Sequence, residues 1–279
     1  MNPLSEIFIM VQRELRKNFR SAKGIALFLI SLLGGGAFAL INTIGQRMKK
    51  QQLGDIDTEH LRELREGALT KVYDSAEIGK FLSDAPEVLW AVLMITIFCS
   101  PLLVAIMGFD GISGERQHRS VRFWAVRSRR GSYFLAKFFG LTATVSIVYL
   151  IMHLVIWMVC IFGGIAPAGN VLGWGVRFWL SSIPIVAAWS ALATFLGSLF
   201  KTPIVSLLVI CSTTFILFVI RLIGGAMEIG SITWVYPNKY DDLLLHPSPQ
   251  MVGQGLGGLV LFVLLFTVGG TVLMNKRDV

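Results

Sequence analysis

Six long stretches of the chain hold no Asp, Glu, Lys or Arg in their cores: residues 25–44, 88–109, 133–162, 178–200, 204–220 and 256–274, with Lys137 at the opening of the third. A hydrocarbon layer takes roughly 20 apolar helical residues to cross. The runs therefore predict six transmembrane helices and an all-α integral membrane protein. Composition points the same way: of 279 residues 54% are hydrophobic and only 15% charged, with a mean hydropathy of +0.68. Soluble domains run at about 25% charged. The net charge of +8 does not indicate nucleic acid, because the cations flank apolar runs instead of covering a face of a soluble domain. Cys99, Cys160 and Cys211 all fall inside apolar runs, so no disulfide framework is implied.

The connectors set the topology. Residues 110–137 carry seven of the 25 Lys and Arg against Asp110 and Glu115, a local charge of +5. Ahead of the first run, Asn2-Pro3 reads as a helix start. Leu4, Ile7, Phe8, Val11, Leu15 and Phe19 then recur on one face, and Arg13, Arg16, Lys17 and Arg20 line another. Over residues 1–23 this predicts an amphipathic helix lying in the membrane interface, with a solvated basic helix as the alternative. The basic start, the apolar residues 25–33 and Ala37-Phe38-Ala39 imitate a signal peptide. The leading region is too long for one, however, and apolar residues continue past the cleavage point. Six spans put both ends on one side. The inside-positive bias makes that side the cytoplasm, with 15 Lys and Arg inside and 10 outside, and makes residues 47–87 an outer loop. Arg47, Lys49 and Lys50 run against that bias.

Other features are read more locally. Pro101 predicts a kink that packing can tolerate in span two, and Pro184 interrupts span four. His153, one turn before Trp157, reads as a packing histidine with no acid in its span. Residues 163–176 read as a short outer loop. Residues 230–254 are too polar to cross yet hold Trp234, Tyr236, Pro237 and Tyr240, which predicts a broken helical segment dipping into the outer leaflet; an ordinary loop is the alternative. The chain has no Gly-x4-Gly-Lys-Ser/Thr phosphate loop, and His60, His118, His153 and His246 are too scattered for a metal site. Ion-coupled secondary transport is disfavoured by the uncharged spans.

The loop between spans two and three is similar in its residues to that of ABC-2 type transporter permeases. Asp110-x-Ile112-x-x-Glu115-Arg116, Ser120-Val121-Arg122, Ser128-Arg129 and Lys137 follow the family's order, and Lys276-Arg277-Asp278-Val279 resembles its ending. The sequence departs at Arg119, where many members have Gly, and at Arg127, near where many have Pro. The resemblance implies a six-span permease domain over residues 24–279 in the inner (plasma) membrane, both termini cytoplasmic, driven by a separate cytoplasmic ABC ATPase in two copies. ATP and Mg would sit on that partner, with no cofactor on this chain. A second permease copy, identical or paralogous, and membrane lipids complete the expected partners. In that family the loop carries a coupling helix, which assigns Glu115, Arg116, Arg119, Ser120, Arg122 and Trp124 to ATPase coupling. A helix over residues 113–126 would align Glu115, Arg119 and Arg122 on one side. A non-transporting, ATP-driven anchor for an envelope or motility complex shares this pattern. The apolar, aromatic spans favour an amphipathic or lipid-linked cargo.

Overall fold

The computed structural model describes residues 2–53, 58–119 and 128–276, as helices joined by short turns. Helix α1 spans Pro3–Arg20. The Asn2 side chain accepts from the Leu4 amide at 3.3 Å, and Pro3, with no N–H to satisfy, sits in the first turn. Ser21 then turns the chain. Its amide closes α1 on the Lys17 and Asn18 carbonyls, and its hydroxyl accepts from the Gly24 amide at 3.1 Å, capping α2 (Ala22–Leu53). Helices α3 (Thr58–Tyr73) and α4 (Ala76–Ser83) form a hairpin turned at Asp74, whose φ is 50°. Asp tolerates that left-handed conformation better than most residues because its short side chain bonds locally.

The remaining elements are α5 (Glu87–Gly108), α6 (Ser113–Gln117), α7 (Arg130–Phe162), α8 (Ala168–Leu199), α9 (Pro203–Ala226), α10 (Gly230–Thr233), a 3-10 turn (Pro237–Tyr240), α11 (Asp241–Leu244) and α12 (Pro249–Lys276). Six of them, α2, α5, α7, α8, α9 and α12, are long and apolar enough to cross a membrane, and the chain is a multi-pass α-helical membrane protein. Several helices outrun their apolar stretches. The connector expected over residues 163–176 shrinks to 163–167, because α8 starts at Ala168, right after Pro167. No proline interrupts residues 168–178, so helical hydrogen bonding continues beyond the apolar zone.

Helix α8 is the most enclosed span and packs against α5, α7 and α12. Phe178, Ile185 and Trp189 are its buried anchors. Helices α9 and α12 are the least enclosed and expose Phe215, Ile216, Leu261 and Leu265. Lipid or another helix is the natural cover for such faces, since no hydrophobic force separates the two in a bilayer. Helices α1 and α6 lie at one end of the bundle, the loop end. The α3–α4 hairpin and the segment from α10 to α11 lie at the other, the hairpin end, where His246 Nε2 stands 3.3 Å from Glu77.

Candidate functional site

After α5 the chain folds tightly. The Gly111 amide donates to the Gly108 carbonyl at 3.1 Å, the Ser113 hydroxyl donates to the Phe109 carbonyl at 2.5 Å, and α6 runs for five residues. The helix considered over residues 113–126 does not form as one piece. It stops at Gln117, and Arg119 sits at φ 56°. A left-handed residue ends the repeat that would have stacked Arg119 over Glu115. Ser120, Arg122 and Trp124, like Arg127, lie outside the described residues.

Released from that pairing, Glu115 points into the protein. Its Oε1 lies 2.5 Å from Lys137 Nζ and 3.0 Å from Lys17 Nζ, and its Oε2 accepts from the Tyr133 hydroxyl at 2.8 Å. Lys137 reaches Glu14 Oε1 at 2.7 Å as well. Glu14, Glu115 and Lys137 are all buried. Two acids and two lysines, from α1, α6 and α7, thus meet at the loop end. Burying one such charge alone is strongly unfavourable, so the three elements hold one another in place. Burial pulls the Lys17 ammonium's pKa down, but Glu115 and then Glu14 outweigh it and raise the value.

Neighbouring contacts extend the brace. A Cβ at Gly140 would come within 2.7 Å of the Glu14 Cβ, so glycine there lets α1 lie close on α7. Asn18 Nδ2 donates to Thr144 Oγ1 at 3.0 Å, Lys23 pairs with Asp110, and Glu6 accepts from the Arg129 amide at 2.8 Å. Arg116 Nη1 donates to the Ser198 carbonyl at 2.7 Å and to that of Phe200 at 3.3 Å. It thereby caps the end of α8, where carbonyls and dipole favour a cation. Arg13, Arg16 and Arg20 are exposed on α1 beside exposed Leu4, Phe8 and Ile9. Lys17 instead turns toward Glu115. Glu14 was not singled out in the sequence, and Lys137 was quoted only as part of a motif. Lys137 is the one charge in an otherwise uncharged run, and Glu14 the lone acid among Arg13, Arg16 and Lys17. Those were the available signals.

At the hairpin end, the predicted aromatic residues gather around a wedge. Tyr236 and Pro237 are buried; Trp234 and Tyr240 are half-buried and meet edge to face at 5.2 Å. Next to them, Asn238 reaches between two spans. Its Nδ2 donates to the Ile97 carbonyl at 2.7 Å, and its Oδ1 accepts from Trp189 Nε1 at 2.7 Å. The Ile97 carbonyl is open for this reason: its helical donor would be residue 101, and Pro101 has no N–H. Tyr236 also lines a cavity of about 270 Å³ between α5 and α9, with Phe98, Pro101, Leu102, Phe215 and Phe218. Among the described residues, no three His, Cys, Asp or Glu side chains gather as a metal site.

These features define a polytopic helical membrane protein that holds a braced polar loop at one end and a folded-in segment at the other. Over residues 8–256 the chain matches the family model described as ABC-2 family transporter protein, and it belongs to that family. No curated protein matches it. Membership carries a permease role in ABC transport, as a membrane subunit whose partners are an ABC ATPase and, in a dimeric arrangement, a second permease chain.

Proposed function

We propose that this chain is the permease subunit that moves an amphipathic or lipid-linked substrate across the inner (plasma) membrane, with both termini and the loop end in the cytoplasm. Two copies of a separate ATPase hold ATP and Mg and press on the loop after α5; this chain binds neither. The observation that carries the reading is the buried lysine centre: Glu115 of the loop and Glu14 of α1 meet on Lys137 of the third span. A load applied at α6 reaches α1 and α7 together, because parting them strands a buried charge at about 3–5 kcal/mol. The exposed cations and apolar residues of α1 suit the headgroup region, where such a helix can move with its span. The open cavity beside Tyr236 supports transport over pure force transmission, as its lining suits an apolar cargo moiety.

Purification of the tagged chain with its ATPase tests this reading. Replacing Arg119 and Trp124 by Ala leaves Glu14, Glu115 and Lys137, the residues of the buried centre, unchanged. The ATPase is expected either to dissociate, since hot-spot truncations cost about 2 kcal/mol or more, or to stay bound with hydrolysis uncoupled from transport. Unchanged affinity, coupling and transport in a normally inserted variant would reject the coupling role.

A further inference from the structure

At the hairpin end, α8 carries Gly169, Gly173 and Arg177 at successive four-residue steps, which stacks them in one row along the helix. A Cβ added at Gly169 or Gly173 would meet nothing within 4 Å, so the row is the floor of an open groove. Asn170 and Trp174 form one wall and Phe81 of α4 the other, enclosing about 230 Å³. Arg177 lies at its inner end. The guanidinium stacks on Phe81 at 4.4 Å and stands 6.0 Å from the Trp174 ring, and Nη2 donates to the His246 carbonyl at 3.0 Å. No carboxylate among the described residues pairs with it; Glu77, close in the fold, faces His246 instead.

The position along the helix indicates what this cation is for. Arg177 is nine residues, roughly 14 Å, from the start of α8. The uncharged apolar run begins at the next residue, Phe178. The neighbouring row, Leu172, Val176 and Leu180, is exposed and apolar. A forked cation at the border of the apolar layer, in a slot walled by Phe81, Trp174 and Asn170 with an aliphatic flank, matches an anionic head joined to hydrocarbon. We infer that the groove of Gly169, Gly173 and Arg177 binds the phosphate of a phospholipid from the leaflet at the hairpin end. The acyl chains then run from the border past Leu180 into the apolar layer. This site is separate from both the lysine centre and the cavity beside Tyr236, and does not depend on the transport reading.

Arg177 also staples α4 and the His246 carbonyl to α8, so its removal alone is ambiguous. Gly173→Leu resolves this, because it fills the groove from open space and leaves every contact of Arg177 in place. The purified chain in detergent is titrated with short-chain phosphatidylglycerol and read by native mass spectrometry, with diacylglycerol of the same chain length and inorganic phosphate as comparisons. The expected result is one phosphatidylglycerol retained per chain in preference to diacylglycerol. Gly173→Leu and Arg177→Gln are each expected to weaken retention about tenfold or more, with the thermal midpoint of Gly173→Leu unchanged. Four results would overturn the inference. The first is retention unaffected by Gly173→Leu, and the second is diacylglycerol held as well as phosphatidylglycerol. The third is a loss of dimer on Gly173→Leu, which would make the groove a protein contact. Displacement of the lipid by millimolar inorganic phosphate would reassign the site to a free anion and overturn the lipid assignment.

Discussion

Pro101 and Asn238 lie far apart in the chain, yet one accounts for the other. The proline removes the donor that Ile97 would have had, and the asparagine supplies a replacement from outside the helix. Ser100 Oγ also reaches that carbonyl, at 2.8 Å, so the site is not wholly dependent on Asn238. Asn238→Leu is expected to destabilise by about 1–3 kcal/mol, since it leaves the Trp189 indole and part of the Ile97 carbonyl unbonded. In a Pro101→Ala background the new amide at residue 101 can serve Ile97, and the loss should shrink. A double-mutant cycle on thermal unfolding measures the difference; strict additivity would mean that the two sites are independent. Arg119 offers a second residue-scale test. Its left-handed φ carries about 1–2 kcal/mol of strain for an L residue. Glycine removes the strain but adds roughly 0.5–1 kcal/mol of unfolded-state entropy. Arg119→Gly should therefore be neutral to about 1.5 kcal/mol more stable, where a helical Arg119 would predict destabilisation.

At the scale of elements, α1, α6 and α7 behave as one joint. Lys137 is fully enclosed and holds both Glu14 and Glu115, whereas the Lys17 side chain is 48% exposed. Lys137→Met should cost about 3–5 kcal/mol by leaving the buried Glu14 carboxylate without its lysine. Lys17→Met should cost under about 1 kcal/mol. Equal losses in thermal unfolding would mean that the charges share no common centre. The segment from α10 to α11 has a different sensitivity. Asp241 is buried, and burial, followed by the nearby Asp242 charge, pushes its carboxyl up to about 8, against the pull of Arg221 and Lys239. A carboxyl protonated in the folded state but ionised when unfolded adds stability at acid pH. That contribution fades as pH rises from the ordinary carboxylate range toward 8. Asp241→Asn should flatten the decline in thermal midpoint over that window, and an identical pH profile would show that Asp241 does not cause it.

For the molecule as a whole, the six spans and the density of cations around Arg116–Arg130 give a single expected orientation. A cysteine at Ser120 should react with an impermeant reagent only after the cytoplasmic face is opened. One at Ser75, the cap of α4, should react in intact cells. The reverse pattern would invert the proposed topology, together with the side on which an ATPase could act.

Span number, helical class and the position of the basic loop were all legible in residue order, because lipid imposes length and uncharged composition on each span separately. Trp234, Tyr236, Pro237 and Tyr240 likewise marked a broken segment through local aromatics and prolines. The rest depended on partners distant in the chain. Nothing near Glu14 names Lys137, nothing near Asn238 names Ile97, and nothing near Gly169 shows that Phe81 closes a wall over Arg177. Periodicity reports which face of a helix is apolar, but a charge or amide inside the bundle is stable only where several elements converge on it. Tertiary packing therefore determined that Glu115 turns inward to Lys137 rather than along a helix toward Arg119. The physical reason is the cost of an unpaired buried charge, which exists only once the helices have come together.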